Sequence, residues 1–447
     1  MANQLTGDGN LLHRLATHKA MWRIIPLMCA IYFMSYLDRT NVSLAKARLA
    51  ADLGISAAAY GLGAGIFFIG YALLEVPSNL IAHRVGPRRW IARIAVTWGA
   101  LSAAMMFVQG EASFYTIRVL LGIAEAGLFP ALMYMVTLWF APKDRSIVVG
   151  WIYIAPALAL VIGNPIGGLL MQMDGIGGLH GWQWLFLIEG LPTILVGVLV
   201  WFKLPDRPSD ARWLSRDEAT VLEARAVPEA AHAGLFSPDW IAALKRPATV
   251  LIGLIYFLNQ VALVGLVFFT PSIIQQMHVQ SPFMIGLLSG GVGIGFLIGV
   301  LVVPRIHRRV SNDCRYLGVL TAGLVVSALL FKTTNWVPAQ LVLFVVTAFF
   351  AGGVLPLYWA MSMKWLHGIQ AAAGLAFINT IGLIGGFVGP YLFGLAESAS
   401  GKSSSGLSVV VGASILGLLL VPLLAKAIQS QGLGDAAPNQ ALVNAES

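Results

Sequence analysis

Long apolar runs alternate with short polar breaks along almost the whole chain. A helix needs about 20 apolar residues to cross the hydrocarbon core of a bilayer. Runs of that kind are predicted at Ile24–Leu44, Ala58–Ile81, Ile91–Gln109, Phe114–Phe140, Ile147–Met171 and Trp184–Phe202. A polar stretch then breaks the pattern, and it carries Pro205, Pro208, Pro228, Pro238 and Pro247. Six further runs follow at Val250–Thr270, Met284–Val303, Tyr316–Phe331, Val337–Met363, Ala371–Leu395 and Leu407–Ala427. The expected fold is all-α, a polytopic membrane protein of twelve transmembrane helices in two six-helix bundles. The expected division is an N-terminal segment over 1–23, bundles over 24–202 and 247–428, a linker with short helices over 203–246, and a tail over 429–447.

Composition agrees with the pattern. Of 447 residues, 58% are hydrophobic and only 11% charged, with a mean hydropathy of +0.79. A soluble chain carries about one quarter charged residues. The 48 glycines suit close helix packing in lipid. The net charge of +8 does not point to nucleic acid, because the basic residues sit in short loops between apolar runs. With the N-terminus inside, 22 of the 28 Lys and Arg fall in inner segments and 4 in outer loops, namely Lys46, Arg48, Lys332 and Lys402. Arg39 and Arg118 fall in spans. Inner loops of multi-pass proteins are enriched in Lys and Arg, so both termini are expected in the cytoplasm of a bacterial inner membrane. The segment before the first run is polar and the run is too long for a signal core, so the first span is expected to stay in place.

Two basic loops occupy equivalent places in the halves. One reads His83-Arg84-Val85-Gly86-Pro87-Arg88-Arg89, the other Arg305-Ile306-His307-Arg308-Arg309-Val310-Ser311. A six-plus-six chain with such an echo fits two bundles that rock about a central site.

Ionisable groups at bilayer depth are costly and are functional suspects. The first span holds Asp38 and Arg39, and the fourth holds Arg118 and Glu125. Seven residues turn a helix by about 700°, so Arg118 and Glu125 share a face to within about 20°. Arginine keeps its charge, and its planar fork matches a carboxylate. Arg39 and Arg118 are therefore candidates for binding a small organic carboxylate, with Asp38 and Glu125 as proton carriers. The alternative is that Asp38–Arg39 and Arg118–Glu125 are purely structural pairs. Glu75 reads as structural, and Glu189 is left without a role. Tyr71, Asn259, Gln260, Trp359, Ser362 and Asn379 are neutral polar candidates for substrate contact or for interhelical bonding. No nucleotide-binding loop or clustered metal ligands are present, and Cys29 and Cys314 imply neither a disulfide framework nor a metal site. Neither a cofactor nor enzymatic activity is expected.

Several phrases resemble the major facilitator superfamily and, within it, the anion:cation symporters. They are Tyr36-Leu37-Asp38-Arg39-Thr40-Asn41, Glu75-Val76-Pro77-Ser78-Asn79-Leu80 and Arg118 through Gly127. Leu204-Pro205-Asp206-Arg207-Pro208 and Asn379 through Pro390 complete the set. The resemblance implies proton-driven uptake of tartrate, sugar acids or aromatic acids. The protein is expected to act as a monomer. It associates the positions of Asp38 and Glu125 with protonation, and those of Arg39, Arg118, Tyr71 and Asn379 with substrate. Trp359 joins the substrate candidates. Arg84, Gly86, Arg88 and Arg89 match the superfamily's gating loop, but His83 stands where that loop has an acid. Lys364 matches no family pattern and reads as an inner anchor or an added anion contact. The competing reading is a proton-coupled drug or metabolite efflux antiporter of the same fold. Against it, Gly163-Asn164-Pro165-Ile166-Gly167-Gly168 is one residue short of the antiporter element in the fifth span.

Overall fold

In the computed structural model, residues 2–226, 246–365 and 368–431 are described. The second part of the linker, with Pro228, Pro238 and Lys245, lies outside them, as does the tail after Gln431. Among the described residues, twelve helices are long and apolar enough to cross a membrane. They run Asn10–Leu53, Ala57–Val85, Pro87–Phe107, Glu111–Trp139, Ile147–Met173 and Gly181–Lys203 in the first half. In the second half they run Pro247–Gln275, Pro282–His307, Asp313–Thr333, Val337–Lys364, Gly374–Ser400 and Ser403–Ser430. These are spans 1 to 12 below. Large apolar side chains point outward, among them Leu73, Leu195, Phe202 and Leu419, each at least 60% exposed. An apolar exterior of this extent suits lipid and would aggregate in water.

Span 1 extends beyond the apolar run that marks it. The helix continues to Leu53, so Lys46 and Arg48 lie on it and not in a loop. Their charges are met locally, Lys46 by Glu397 at 2.5 Å and Arg48 by Asp174 at 3.6 Å. The extension places Asp38 and Arg39 near the middle of the helical stretch from Ile24 to Leu53, not at its end. One short helix of the linker, Arg216–Arg225, starts with a capping box in which Ser215 Oγ accepts from the Glu218 amide. It docks on the long first helix, where Lys19 donates to Glu218 at 2.6 Å.

Three spans break near the middle. Span 4 breaks at Ala126–Gly127, where Gly127 has φ of +84°, a conformation that costs a residue with a side chain. Ser78 donates to the carbonyl of Ala126 at 2.6 Å and receives the indole N–H of Trp90 at 2.8 Å. A side-chain carbon at Gly127 would lie 2.3 Å from Ser78 Oγ. The Ser78 phrase of span 2 thus caps the break that follows Glu125. Span 5 contains a π-helical turn over Ala159–Gly163, and span 10 breaks between Gly353 and Leu355. Non-helical backbone at this depth is tolerated where protein covers it.

The two bundles meet most closely at the end opposite the linker, here the far side. There Tyr60 donates to the carbonyl of Phe268 at 3.2 Å, and the Ala58 amide donates to Ser398 Oγ at 3.0 Å. Glycines let backbones touch across the joint. A side-chain carbon at Gly61 would lie 2.4 Å from the carbonyl oxygen of Pro390 in span 11, and one at Gly168 2.5 Å from that of Pro282 in span 8. Nearer the linker side, Asn379 of span 11 donates to both carboxylate oxygens of Glu75 at 3.1 and 3.2 Å.

Candidate functional site

Span 1 and span 4 cross where their charged residues face each other, and the pairing is crosswise. Arg39 Nη2 donates to Glu125 Oε1 at 2.5 Å, and Ser35 Oγ donates to the same oxygen at 2.6 Å. Neither sequence-adjacent pairing is the one that forms. Asp38 turns instead toward span 3, where Ser102 donates to Oδ1 and the indole N–H of Trp98 to Oδ2 at 3.2 Å. Arg118 reaches span 2, donating from Nε to the Gly63 carbonyl and from Nη2 to the Ala64 carbonyl, both at 3.2 Å. Its remaining nitrogen, Nη1, is buried with no hydrogen-bond partner, and so is Glu125 Oε2.

Burial makes these contacts costly to leave unmet. Arg118 and Glu125 are 0% exposed and Asp38 is 4% exposed. The two guanidiniums sit over the same ring. The central carbon of Arg39 lies 5.3 Å from the Phe67 centroid and that of Arg118 4.9 Å from it. Arg39 is further surrounded by Tyr36, Phe68 and Tyr71 at 4.9, 5.9 and 5.6 Å. Arg118 faces Phe268 of the second bundle at 6.0 Å. Cation–π contacts of this kind contribute about 0.5–2 kcal/mol each, more where water is excluded. Phe67 and Phe68 carry this cage, and an apolar sequence run gives no sign of it.

The second bundle offers aromatic faces. Tyr256 of span 7 packs edge-on to Tyr358 and Trp359 of span 10, with centroids 5.3 and 5.6 Å apart. Tyr256 also lies close enough to Glu75, Tyr36 and Tyr153 of the first bundle to interact with them electrostatically. Trp359 thus stands beside a Tyr that faces the first bundle, while Tyr71 lies in the Arg39 cage. Asn379, expected as a substrate contact, is engaged by Glu75 in this conformation. Asn259 bridges spans by donating to the Ala351 carbonyl at 3.2 Å, and Ser362 bonds within its own helix to Tyr358. These two serve as interhelical and intrahelical bonds.

Glu189 is 6% exposed, and neither carboxylate oxygen has a hydrogen-bond partner. Asn41 and Asp38 are near enough to interact with it electrostatically.

The basic loop after span 2 finds an acid that its own sequence lacks. Asp206 accepts from the backbone N–H of Arg88 at 2.9 Å, and its other oxygen lies 3.4 Å from the guanidinium. Gly86, with φ of +96°, lets the carboxylate approach, since a side-chain carbon there would lie 2.9 Å from Asp206 Oδ1. Arg84 and Arg89 are exposed, and the His83 ring lies tilted against Tyr134 with centroids 3.8 Å apart. In the second half, Lys364 is an ion-pair member: it donates to Asp313 at 2.5 Å, and His307 lies 2.8 Å from the other oxygen of that carboxylate.

The Major Facilitator Superfamily profile matches residues 28–390. The chain belongs to that superfamily. A putative tartrate transporter of Agrobacterium vitis is 39% identical over 94% of this chain and 97% of its own length. A quinolone resistance transporter of Acinetobacter baumannii is 37% identical over 92% of this chain and 95% of its own. Among solved structures, a D-xylose–proton symporter shares the fold with a TM-score of 0.71 at 15% identity, covering 90% of this chain and 97% of that one. This member of the superfamily is a multi-pass membrane transporter and not an enzyme. The tartrate relative accords with the resemblance to anion:cation symporters.

Proposed function

We propose that this transporter takes up a small organic carboxylate together with protons, by alternating access in a bacterial inner membrane. The observation that carries this is the charge count around Phe67. Arg39, Arg118, Asp38 and Glu125 form a closely packed group of two cations and two acids, of which Arg118, Asp38 and Glu125 are buried and Arg39 is 16% exposed. A carboxylate that takes the free Nη1 of Arg118 adds one negative charge to that group. A burial cost of several kcal/mol attends an uncompensated charge. A proton taken by Asp38 or Glu125 restores the balance, so anion and proton enter together. Arg39 and Arg118 are the anion partners in this scheme. Tyr71 and Trp359 flank the site, and Asn379 joins it once it leaves Glu75.

The asymmetry of Lys and Arg supports a cytoplasmic linker and cytoplasmic termini. In that orientation the bundle contacts on the far side close the periplasmic mouth. Arg84, Gly86, Arg88 and Arg89 form the inner loop that shifts with the bundles. A monomer contains the whole site.

A second reading is favoured by the quinolone resistance relative, namely efflux of a drug in exchange for protons. A quinolone is itself an aromatic carboxylic acid, so the same arginines fit both cargoes. Uptake of labelled tartrate, gluconate and phthalate into proteoliposomes, with and without an inward proton gradient, separates the two. Gradient-stimulated uptake of an acid that is lost in Arg118→Ala and uncoupled from protons in Glu125→Gln supports symport. Gradient-driven export with no acid uptake refutes it.

A further inference from the structure

A second set of charges lies at the end of the bundles opposite the linker, at the mouth that this orientation makes periplasmic. Lys46 of span 1 is only 5% exposed, and its ammonium donates to Glu397 of span 11 at 2.5 Å. The pair therefore joins the two bundles. The ammonium also lies over Phe269 at 4.3 Å and Tyr60 at 5.6 Å. Above it opens a cleft of about 420 Å³, lined among others by Lys46, Ser56, Ser272, Gln275, Gln276 and Glu397. Among the described residues, Lys46 is the one cation in that lining and Glu397 the one anion.

Packed side chains join the floor of the cleft to the buried arginine. Tyr60 lies under Lys46 and bonds the Phe268 carbonyl, and the Phe268 ring faces Arg118. Opening this mouth requires the bundles to part, and parting carries Glu397 away from Lys46. A mostly buried ammonium would then lose its carboxylate, which is costly unless another anion replaces it. The transported molecule brings such an anion. Exchange of one carboxylate for another leaves the charge balance unchanged, so the cargo itself lowers the barrier to opening.

We propose that Lys46 is an entry site for the organic anion and that Glu397 is its built-in competitor. In the closed state Glu397 occupies Lys46. In the opening state a substrate carboxylate displaces it, and the anion then passes along Tyr60 and Phe268 to Arg118. This rests on the reading of the protein as a carboxylate importer.

A simple latch and a competed entry site differ in sign. If the pair were only a latch, Lys46→Gln and Glu397→Gln would break the same contact and shift uptake in the same direction. If Lys46 captures the anion, the two variants move in opposite directions. Initial uptake rates of labelled tartrate, gluconate and phthalate are measured in right-side-out proteoliposomes for wild type, both variants and Lys46→Arg. The expected result is an external KM raised about tenfold in Lys46→Gln, the equivalent of one lost charge-assisted contact. In Glu397→Gln the KM falls several-fold, and in Lys46→Arg it stays within about threefold of wild type. Affinity for the same acid presented from the inner face stays unchanged in all three. Size-exclusion profiles in detergent establish that each variant is folded, and Lys46→Arg retains the charge if Lys46→Gln does not fold. KM shifts of the same sign in the two neutral variants, or none, overturn the entry site while leaving import intact. Failure of wild type to take up any of the acids overturns both readings at once.

Discussion

Removing either partner of the Arg39–Glu125 pair is expected to destabilise the protein by unequal amounts. Arg39→Gln leaves the Glu125 carboxylate, at 0% exposure, with only the Ser35 hydroxyl as donor. Breaking a buried pair from this side costs about 3–5 kcal/mol. Glu125→Gln leaves Arg39 in its cage of Tyr36, Phe67, Phe68 and Tyr71, all within 5.9 Å. The Gln carbonyl still accepts from Ser35 and Arg39. Its cost is about 1–2 kcal/mol, because aromatic faces and a neutral acceptor remain. At about 2–3 °C per kcal/mol, melting points should fall by about 6–15 °C for Arg39→Gln and about 2–6 °C for Glu125→Gln. The double variant pairs two amides and should melt above Arg39→Gln alone. The assay is thermal unfolding of the purified transporter in one detergent at one pH and scan rate, since unfolding of such proteins is often irreversible. Equal drops for the two single variants, or a double variant whose loss is the sum of both, would refute the account of the cage and of the pairing.

Three further outcomes follow from the structure. A side-chain carbon at Gly122 would lie 2.0 Å from the Phe67 carbonyl oxygen, whereas none at Gly150 meets anything within 4 Å. Gly122→Ala should therefore lose about 3 kcal/mol or more through overpacking, while Gly150→Ala gains up to about 1 kcal/mol in helix propensity, both read as melting shifts. Asn379→Asp sets a second carboxylate against Glu75, which should slow uptake and lower stability. Adding Glu75→Gln restores a donor and should recover most of both, and additive losses would sink the contact. At the linker helix, the hydrogen bond from Lys19 holds the Glu218 carboxyl below the usual carboxylate range. A depressed folded value contributes stability above the unfolded value of about 4.3, lost as pH falls through the lower folded one. Protection against hydrogen exchange over residues 216–225, taken relative to the intrinsic rate at each pH, should fall on acidification below about pH 4 and in high salt, and Lys19→Ala should flatten both responses.

The twelve spans were legible because a bilayer imposes one length and one polarity on every crossing segment. Their ends were less so, since buried pairing lets a helix run on through charges. Lys46 and Arg48 look like loop residues until Glu397 and Asp174, more than a hundred positions away, are seen to meet them. The helix breaks were hidden for a similar reason. Gly127 follows Glu125 in an apolar run, and only the contact with Ser78 shows why a glycine is required there. At the site, residue type pointed to Arg39, Arg118, Asp38 and Glu125, but spacing within one helix could not give the partner across two. The choice of Glu125 over Asp38 for Arg39 is made by where spans 1 and 4 cross.

The two basic loops show what an internal repeat preserves here. Each loop gathers arginines at the linker side, and each needs an acid to fix its backbone against like-charge repulsion. In the first half the acid is Asp206, which follows span 6 and docks on the Arg88 amide and side chain. In the second it is Asp313, at the start of span 9, which takes His307 and Lys364. The halves thus reach the same balance with acids from different places in the chain. That explains why His83 can stand where the superfamily loop carries an acid, and why Lys364 fits no pattern of its own. Its partner belongs to the loop and not to a substrate. The anchors also differ in what they tie. Asp206 fixes the first loop to the start of the linker, whereas Asp313 ties the second loop to span 10, the helix that carries Trp359. A shift of the second loop is therefore expected to reach the helix that bears the Tyr358 and Trp359 rings, and a shift of the first to reach the linker.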